Sequence, residues 1–314
     1  MADVLVVGGG VIGLTTAVCL AEQGLRVQVR TAHQARDTTS AAAGAMLGGP
    51  IFAEPFEAAL RWQQVGMREF GMLAEQPGTG VHIARGRLVS NLGRDIPEWA
   101  PALSGFRHAT AAEHAGFQVA FWINSPLADM PVYLGYLADR FTGAGGDIRY
   151  QPVTSLWEAA DEALIVVNCS GVYARRLAED PYVHPVRGQH VVVENPGIED
   201  FFFQGGADRE WTGFMPHDDN VVLGGVAVAG DWNLAPDPRQ TWQIMRRCAA
   251  VEPRLADARV LRVDVGLRPG RAAIRLEAQT IGRTRLIHNY GHGGVGVSMS
   301  WGCARDVTEM ILVD

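Results

Sequence analysis

The hydrophobic positions at the start of the chain predict a strand, a turn and a helix. Residues 4–7 (VLVV) are apolar at every position, as in a parallel strand that is buried on both faces. Glycines follow, and apolar residues then recur at helical spacing until Gly24 ends the helix. Residues 26–30 (RVQVR) predict a second strand. A βαβ unit therefore opens the chain.

Further along, the same patterns predict elements of two kinds. Residues 164–168 (LIVVN) predict another buried parallel strand, whereas 186–194 and 221–229 resemble strands of an antiparallel sheet. The remaining predictions are a strand over 147–150 and helices over 56–75, 130–143, 241–251 and 295–312. Outside its helix, the stretch from about 50 to 125 shows no clear period. Because parts of the first unit lie far apart in the chain, we expect interleaved domains rather than consecutive ones.

The charge and cysteine content exclude several classes of function. Asp and Glu number 34 against 27 Lys and Arg, a formal net charge of −7, and neither nucleic acid nor an anionic membrane attracts such a protein. No apolar run is long enough to span a bilayer, and no signal peptide is apparent. The cysteines are scattered without metal-ligand spacing, so we expect buried reduced thiols, a cytoplasmic location and no metal site: Cys19, Cys169, Cys248 and Cys303.

A G-x-G-x-x-G pattern links the first strand to the first helix. Gly8 makes the tight turn, Gly10 lets the backbone approach a pyrophosphate, and Gly13 lets the helix pack closely on the strand. Phosphates bind at such a helix N-terminus because its free N–H groups and dipole favour negative charge. The acidic residue that usually binds the ribose is absent from 30–33 (RTAH). Thr31 or the backbone would have to take over that role.

Two further segments favour FAD over a nicotinamide cofactor. The run of small residues over 38–44 (TTSAAAG) can let a large flat ring lie against the backbone, although it could equally be a helix packing face. Residues 291–296 (GHGGVG) form a second glycine-rich helix start at the far end of the chain. A nicotinamide-dependent dehydrogenase, the competing class, does not require one. A helix N-terminus there would stabilise the anion that forms when a flavin is reduced.

Several motifs together resemble the D-amino-acid oxidase family, within the group that includes glycine and sarcosine oxidases. The resemblance lies in 6–16, 38–44, 167–171 (VNCSG), 185–189 (PVRGQ), 266–271 (GLRPGR) with 274–277 (IRLE), 288–294 (HNYGHGG) and 301–302, and is poor over 48–128. It implies an α/β fold (α+β overall), in which a Rossmann-type FAD-binding domain is interleaved with an antiparallel-sheet substrate domain. The expected boundaries are 1–50, 131–180 and 260–314 for the first domain, and 51–130 and 181–259 for the second.

The resemblance also implies roles for individual residues. Arg271, the second arginine of the RPxR pattern, would clamp the substrate carboxylate through a two-point hydrogen bond, and the Gly294 carbonyl would receive the substrate amine. Taken without the family, an arginine near Arg268 and Arg275 is more often part of a surface or structural ion pair, and His292 is expected to be structural. The residues expected to contact FAD are Gly8, Gly10, Val11, Ile12, Gly13, Thr31, Thr38, Thr39, Gly44, Ala45, Val153, Ser170, Gly171, Gly293, Gly294, Val295, Gly296, Val297 and Ser298.

The implied reaction is FAD-dependent oxidation of the carbon–nitrogen bond of an amino acid-like amine. Hydride passes from the substrate to the flavin, the imine hydrolyses to a keto acid and ammonia, and oxygen reoxidises the flavin to give hydrogen peroxide. No side-chain base is needed, in keeping with a sequence that lacks a convincing Ser/His/Asp triad or carboxylate pair. The expected partners are a small carboxylate-bearing amine and molecular oxygen, with a possible homodimer.

The chain departs from the family where the substrate should lie. Gly213 and Arg209 align with two family tyrosines, and 46–51 (MLGGPI) replaces bulkier residues. These changes predict an enlarged pocket and an alternative function, a pathway-specific oxidase of an N-substituted glycine, secondary amine or hydrazine that carries a carboxylate. Trp211 would then either replace the lost lid or pack on its own strand. A flavoprotein without catalytic activity is a further class, against which the retained Arg271 argues.

Overall fold

The computed structural model describes residues 2–50, 53–206 and 209–313. Its α-helices are α1 (Val11–Glu22), α2 (Phe56–Ala74), α3 (Met130–Gly143), α4 (Leu156–Glu162), α5 (Ala174–Leu177), α6 (Pro238–Val251) and α7 (Gly296–Leu312). Its strands are β1 (Val4–Val7), β2 (Val27–Arg30), β3 (Val81–Ser90), β4 (Arg107–His108), β5 (Val119–Ala128), β6 (Asp147–Arg149), β7 (Ile165–Asn168), β8 (His184–Glu194), β9 (Phe201–Gln204), β10 (Glu210–Pro216), β11 (Asn220–Val226), β12 (Val228–Ala229), β13 (Val260–Gly270), β14 (Arg275–Ile281) and β15 (Thr284–Tyr290).

The first sheet confirms the α/β fold class. In the described residues its strand order is β14-β15-β7-β1-β2-β6, and β1 pairs in parallel with both β2 and β7. All four side chains of β1 are buried, as the continuous apolar run predicted. Strands from the start, the middle and the end of the chain meet in this sheet, so the interleaving expected from the sequence is present.

The second sheet is mixed rather than purely antiparallel. Its order in the described residues is β12-β8-β11-β10-β9-β3-β5-β4, with β13 paired to β8. The prediction of an antiparallel sheet is wrong at one place, because β3 and β9 run in parallel. The ten-residue strands β3 and β5 were not predicted at all. Nine of the ten positions of β5 are buried, so no alternation marks it as a strand.

Strand β13 joins the second sheet to the small-residue segment at Thr39–Ala42. This strand pairs antiparallel with β8 along its length, so its strand partners belong to the second sheet although the predicted FAD-binding domain begins at 260. The Thr39 hydroxyl accepts a hydrogen bond from the Leu267 N–H at 3.2 Å. A Cβ built at Gly266 would lie 3.2 Å from the Ala42 Cβ. These contacts hold the short 3-10 turn at Thr39–Ala42 against the second sheet. The domain boundaries themselves stay a prediction.

The main core lies around α1, α3 and α7. Trp301 on α7 is almost fully buried, and its indole Nε1 donates to the Tyr133 hydroxyl on α3 at 2.9 Å. α6 begins three residues earlier than predicted, because the Asp237 carboxylate accepts the Arg239 N–H at 2.8 Å and caps the helix. Within the described ranges, none of the helices combines the length and apolar character that crossing a membrane requires.

Candidate cofactor and substrate site

The predicted glycine turn leaves no room for side chains. Gly8 has a φ of +116°, and a Cβ there would lie 2.4 Å from the Cys169 carbonyl oxygen. A Cβ at Gly13 would lie 1.9 Å from the Gly8 carbonyl oxygen. The turn and α1 are therefore packed as closely as the G-x-G-x-x-G pattern requires.

The N-terminus of α1 is approached by the small-residue segment. Gly10 offers no side chain to cap the helix, and the Val11 N–H donates instead to the Ser40 Oγ at 3.0 Å. A Cβ at Gly10 would lie 3.0 Å from the same oxygen. Ser40 was not among the predicted site residues, and no local signal reveals its role, because its partner lies 29 positions away.

The two glycine-rich helix starts converge. A Cβ at Gly296, the first residue of α7, would lie 3.8 Å from the Ile12 Cδ1 on α1. Gly293, with a φ of +54°, donates its N–H to the Pro269 carbonyl at 2.9 Å. The segment 293–298 therefore lies between the start of α1 and the end of β13. His292 just before it is buried, which lowers its pKa to about 4 and keeps it neutral.

The residues after β7 lie beside the glycine turn at 8–13. Together with residues 38–45 and 293–298, these segments form what we call the cradle. Asn168 Oδ1 accepts hydrogen bonds from the Ser170 hydroxyl at 2.6 Å and from its N–H at 3.2 Å. Gly171 adopts a φ of +59°, and a Cβ at Gly8 would lie 3.4 Å from the Ser170 Cα. Ser170 and Gly171 therefore adjoin the glycine turn at the carboxyl ends of β1 and β7, where open α/β sheets bind ligands.

Arg30 stands where an acidic residue is usual. Its guanidinium is buried and contacts Glu158 at 2.7 Å, Glu162, and the Pro152 carbonyl at 2.8 Å. It therefore fixes the loop that carries Val153. Thr31 is engaged locally, because its hydroxyl donates to the His33 carbonyl at 3.0 Å.

The segment 38–45 is held by side chains and backbone together. The Thr38 hydroxyl donates to the Ala35 carbonyl at 2.7 Å, and Ala45, with a φ of +45°, accepts the Ala128 N–H at 3.1 Å. A Cβ at Gly44 would lie 2.2 Å from the Met215 Cε. The segment thus runs past the turn at α1, beside the second sheet.

Arg271 is paired with a carboxylate of the protein itself. Its Nε donates to Asp180 at 3.0 Å, and its Nη1 donates to the Ala273 carbonyl at 2.6 Å. Asp180 is buried and also accepts the Tyr290 hydroxyl at 2.9 Å. Arg275 joins the group by donating to Tyr290 at 2.7 Å. This cluster matches the structural ion pair that the sequence left open for Arg271.

Arg268 differs from Arg271 in lacking such a partner. It donates one hydrogen bond, to the Val226 carbonyl at 3.1 Å, and forms no ion pair with any residue that the structure describes. Its side chain adjoins the predicted amine acceptor, since a Cβ at Gly294 would lie 3.7 Å from the Arg268 Cδ. The surrounding protein displaces water and lowers the pKa of Arg268 to about 10, so it remains a cation at neutral pH.

The arrangement can hold an FAD molecule. Glycines that tolerate no Cβ form a cradle beside a helix N-terminus, as a dinucleotide requires. A second helix start adjoins it, and the Arg268 guanidinium, which has no carboxylate partner in the described ranges, lies beside Gly294. Among the described residues there is no cluster of His, Cys, Asp and Glu that could hold a metal ion.

Comparison with known proteins agrees with this cradle. The sequence model of one protein family, FAD dependent oxidoreductase (DAO), matches residues 3–310 of this chain. The chain is 48% identical over 313 residues to a D-amino-acid oxidase of Streptomyces coelicolor, covering 98% of this chain and 96% of that protein. It is 44% identical over 313 residues to a D-amino-acid oxidase of Rubrobacter xylanophilus, covering 99% and 96%. The structure resembles glycine oxidase from Geobacillus kaustophilus, with a TM-score of 0.81, 20% identity and coverage of 99% and 94%; at that identity the likeness concerns the fold.

Proposed function

This chain belongs to the family of FAD-dependent oxidoreductases, and we propose that it oxidises the carbon–nitrogen bond of D-amino acids. The observation that carries the proposal is the Arg268 guanidinium, a cation beside Gly294 that has no ion-pair partner among the described residues. An amino acid offers a carboxylate and an amine one carbon apart, which suits a cation next to a backbone carbonyl. The two relatives named D-amino-acid oxidase, at 48% and 44% identity, support this substrate class.

Arg268, rather than Arg271, is our candidate for the carboxylate ligand. Arg271 already donates to Asp180 and to the Ala273 carbonyl, so a carboxylate of the protein itself balances its charge. Arg268 has N–H groups to spare, and its planar group fits a carboxylate through two parallel hydrogen bonds. Both arginines lie in the one RPxR pattern, in which the family resemblance implied Arg271 as the carboxylate ligand; we propose Arg268 in its place.

The residues predicted to contact FAD remain our proposal for its binding site. We add Ser40, because its hydroxyl reaches the first amide of α1. When bound at these residues, FAD would supply the hydride acceptor, and oxygen would be the oxidant that restores it. The protein binds the carboxylate on Arg268, accepts an amine N–H at the Gly294 carbonyl, and so presents one face of the substrate. The neutral imidazole of His292 brings no charge to this loop.

The alternative substrates were inferred from a pocket that glycines were expected to enlarge. In the structure, side chains of neighbouring residues occupy the space beside Gly213 and Gly48. A Cβ at Gly213 would lie 2.5 Å from the Trp211 ring, so the indole fills the space that a larger residue at 213 would take. A Cβ at Gly48 would lie 2.7 Å from the Met67 Cε. An N-substituted glycine or a hydrazine therefore gains no volume from these two positions, and a D-amino acid is the better candidate.

Oxygen as the electron acceptor, a homodimer and a cytoplasmic location complete the proposal. The cysteines are unpaired in the described residues, in keeping with a reducing compartment. Light scattering of the purified protein measures the oligomeric state. Hydrogen peroxide formed per substrate consumed measures the use of oxygen.

Anaerobic bleaching of the flavin absorbance tests the function. The panel consists of D-alanine, D-leucine and D-phenylalanine, their L-enantiomers, sarcosine and iminodiacetate. We expect the D-amino acids to bleach the flavin within the time of a stopped-flow trace and the others to bleach it slowly or not at all. Rapid bleaching by sarcosine or iminodiacetate alone would replace this proposal with the N-substituted class.

A further inference from the structure

The indole ring of Trp211 lies on a floor of glycines. A Cβ built at Gly224 would be 2.1 Å from the Trp211 Cη2, one at Gly213 would be 2.5 Å from its Cζ3, and one at Gly225 would be 2.9 Å from its Cζ2. Any side chain at these three positions would push the ring away. The ring therefore takes its place on β10 and β11 because the residues beneath it have no side chains.

Side chains of α6 donate hydrogen bonds to the backbone of the glycines beneath the indole. The Cys248 thiol donates to the Gly213 carbonyl at 3.3 Å. The Arg247 guanidinium donates to the Gly225 carbonyl at 3.2 Å and reaches the Trp211 carbonyl at 3.5 Å. These contacts keep the glycine backbone in place, so the indole rests on a rigid surface.

The buried His190 ring packs against the edge of the Trp211 ring. The two rings meet edge to face, at 84° with centroids 5.6 Å apart. His190 Nδ1 lies 2.7 Å from the Ala42 carbonyl, so it carries the proton and donates. Nε2 then offers a lone pair, which is buried without a partner in the described residues. Burial and the nearby Arg268 charge lower the pKa of His190 to about 3, so the ring is neutral.

The Trp211–His190 pair lies next to the proposed carboxylate ligand. Arg268 donates to the carbonyl of Val226, which follows Gly225 beneath the indole. A Cβ at Gly188, two residues before His190 on β8, would lie 2.3 Å from the Arg268 Nη1. A substrate held on Arg268 therefore has the Trp211 ring and a neutral imidazole as neighbours.

We propose that Trp211, braced by His190, is the surface on which the substrate side chain packs, and that it determines specificity. Apolar side chains bury area against the indole. A carboxylate side chain would meet an apolar ring and an imidazole lone pair, so acidic D-amino acids are disfavoured. This inference rests on the proposed function, because it presupposes a D-amino acid on Arg268.

The test compares kcat/KM for D-alanine, D-leucine, D-phenylalanine and D-aspartate in wild type, Trp211→Ala and Trp211→Leu. In Trp211→Ala we expect the ratio of D-phenylalanine to D-alanine to fall by about tenfold or more, mainly through KM. Trp211→Leu keeps an apolar surface and should lie between the two. Trp157→Ala, which removes a largely exposed indole on α4, is the matched control and should leave the ratio unchanged.

A second pair of variants tests whether the contact with His190 holds the Trp211 ring in place. His190→Asn keeps a donor for the Ala42 carbonyl and should retain the wild-type ratio, whereas His190→Ala should lower it as Trp211→Ala does. A ratio that is unchanged, or that moves toward D-phenylalanine, in both FAD-loaded Trp211 variants would overturn the inference. If Trp211→Ala fails to hold FAD, Trp211→Leu decides alone. Wild type that oxidises no D-amino acid would instead refute the proposed function.

Discussion

Arg268 and Arg271 are three positions apart, yet among the residues that the structure describes only Arg271 has a carboxylate partner. Asp180 accepts a hydrogen bond from the Arg271 Nε at 3.0 Å, while the Arg268 guanidinium donates to the Val226 carbonyl at 3.1 Å and to no carboxylate in the described part of the chain. The difference follows from the backbone, because β13 ends between them at Gly270 and the two side chains lie in different surroundings. On this difference rests our proposal that Arg271 supports the fold and that Arg268 binds the substrate.

Replacing Arg268 should cost most of the substrate affinity. Arg268→Met removes the cation while keeping much of the volume, and the lost charge-assisted pair of about 3–4 kcal/mol corresponds to about a 100- to 1,000-fold fall in kcat/KM, mainly through KM. Arg268→Lys should recover part of it. Arg271→Met, the matched variant, should change kcat/KM by less than about tenfold. Steady-state kinetics on FAD-loaded protein measures all three, and a larger loss in Arg271→Met would restore that residue as the ligand.

Asp180→Asn should destabilise the fold. It leaves the Arg271 guanidinium without its carboxylate and the Tyr290 hydroxyl with a weaker acceptor, a loss of about 2–4 kcal/mol. Urea unfolding monitored by circular dichroism measures it. Asp200→Asn removes an exposed ion pair with Arg85 and should change the stability by less than about 0.5–1 kcal/mol. Equal losses in both variants would contradict the structural role of Asp180.

The stabilisation by Asp180 should disappear in acid. Burial alone raises the pKa of this carboxyl, but hydrogen bonds from Tyr290, the Tyr182 N–H and Arg271 outweigh it and lower the pKa. Because the folded pKa lies below the unfolded one, the contribution is complete above the unfolded pKa and is lost as the pH falls through the folded pKa. The stability difference between wild type and Asp180→Asn should therefore be constant from pH 7 to about pH 5 and shrink below about pH 4. A stability difference that increases as the pH falls would show that the folded pKa of Asp180 is raised rather than lowered.

Gly13→Ala should abolish FAD binding or folding. The added methyl carbon would lie 1.9 Å from the Gly8 carbonyl oxygen, so the turn or α1 must move. Gly71→Ala on α2 is the control, since a Cβ there meets nothing within 4 Å, and Ala is favoured over Gly in a helix by about 1 kcal/mol. Flavin absorbance per protein and the melting temperature report both variants. Full flavin content in Gly13→Ala would refute the assignment of the cradle.

The cysteines should resist thiol reagents in the folded protein. Burial raises the pKa of Cys19, Cys169 and Cys248 to about 12 and that of Cys303 well above its ordinary value. Thiolate, the reactive form, is therefore scarce near pH 8. We expect slow labelling by a disulfide reagent in buffer and four equivalents on unfolding in guanidinium. Rapid labelling of one thiol in the native state would show local opening around it.

The sequence by itself predicted those features whose cause is local. The run of apolar residues at Val4–Val7 must be buried on both faces, and a glycine turn between a strand and a helix constrains Gly8 and Gly13 through atoms only a few residues apart. The helix α3 was placed correctly from the helical spacing of its apolar residues and from the proline in its first turn. The predictions of the fold class and of the cofactor depended on these elements.

Only the tertiary structure decided which side chains are free and which are occupied. Asp180 lies 91 positions from Arg271, and Ser40 lies 29 positions from Val11, so no periodic pattern connects either pair. The family resemblance implied Arg271 as the carboxylate ligand, whereas our proposal of Arg268 depends on the Arg271–Asp180 ion pair, which forms only when β13, α5 and β15 come together. The glycine at 213 predicted an open space, and the indole of Trp211 covers it, because the volume beside a residue is set by neighbours that its own sequence position does not specify.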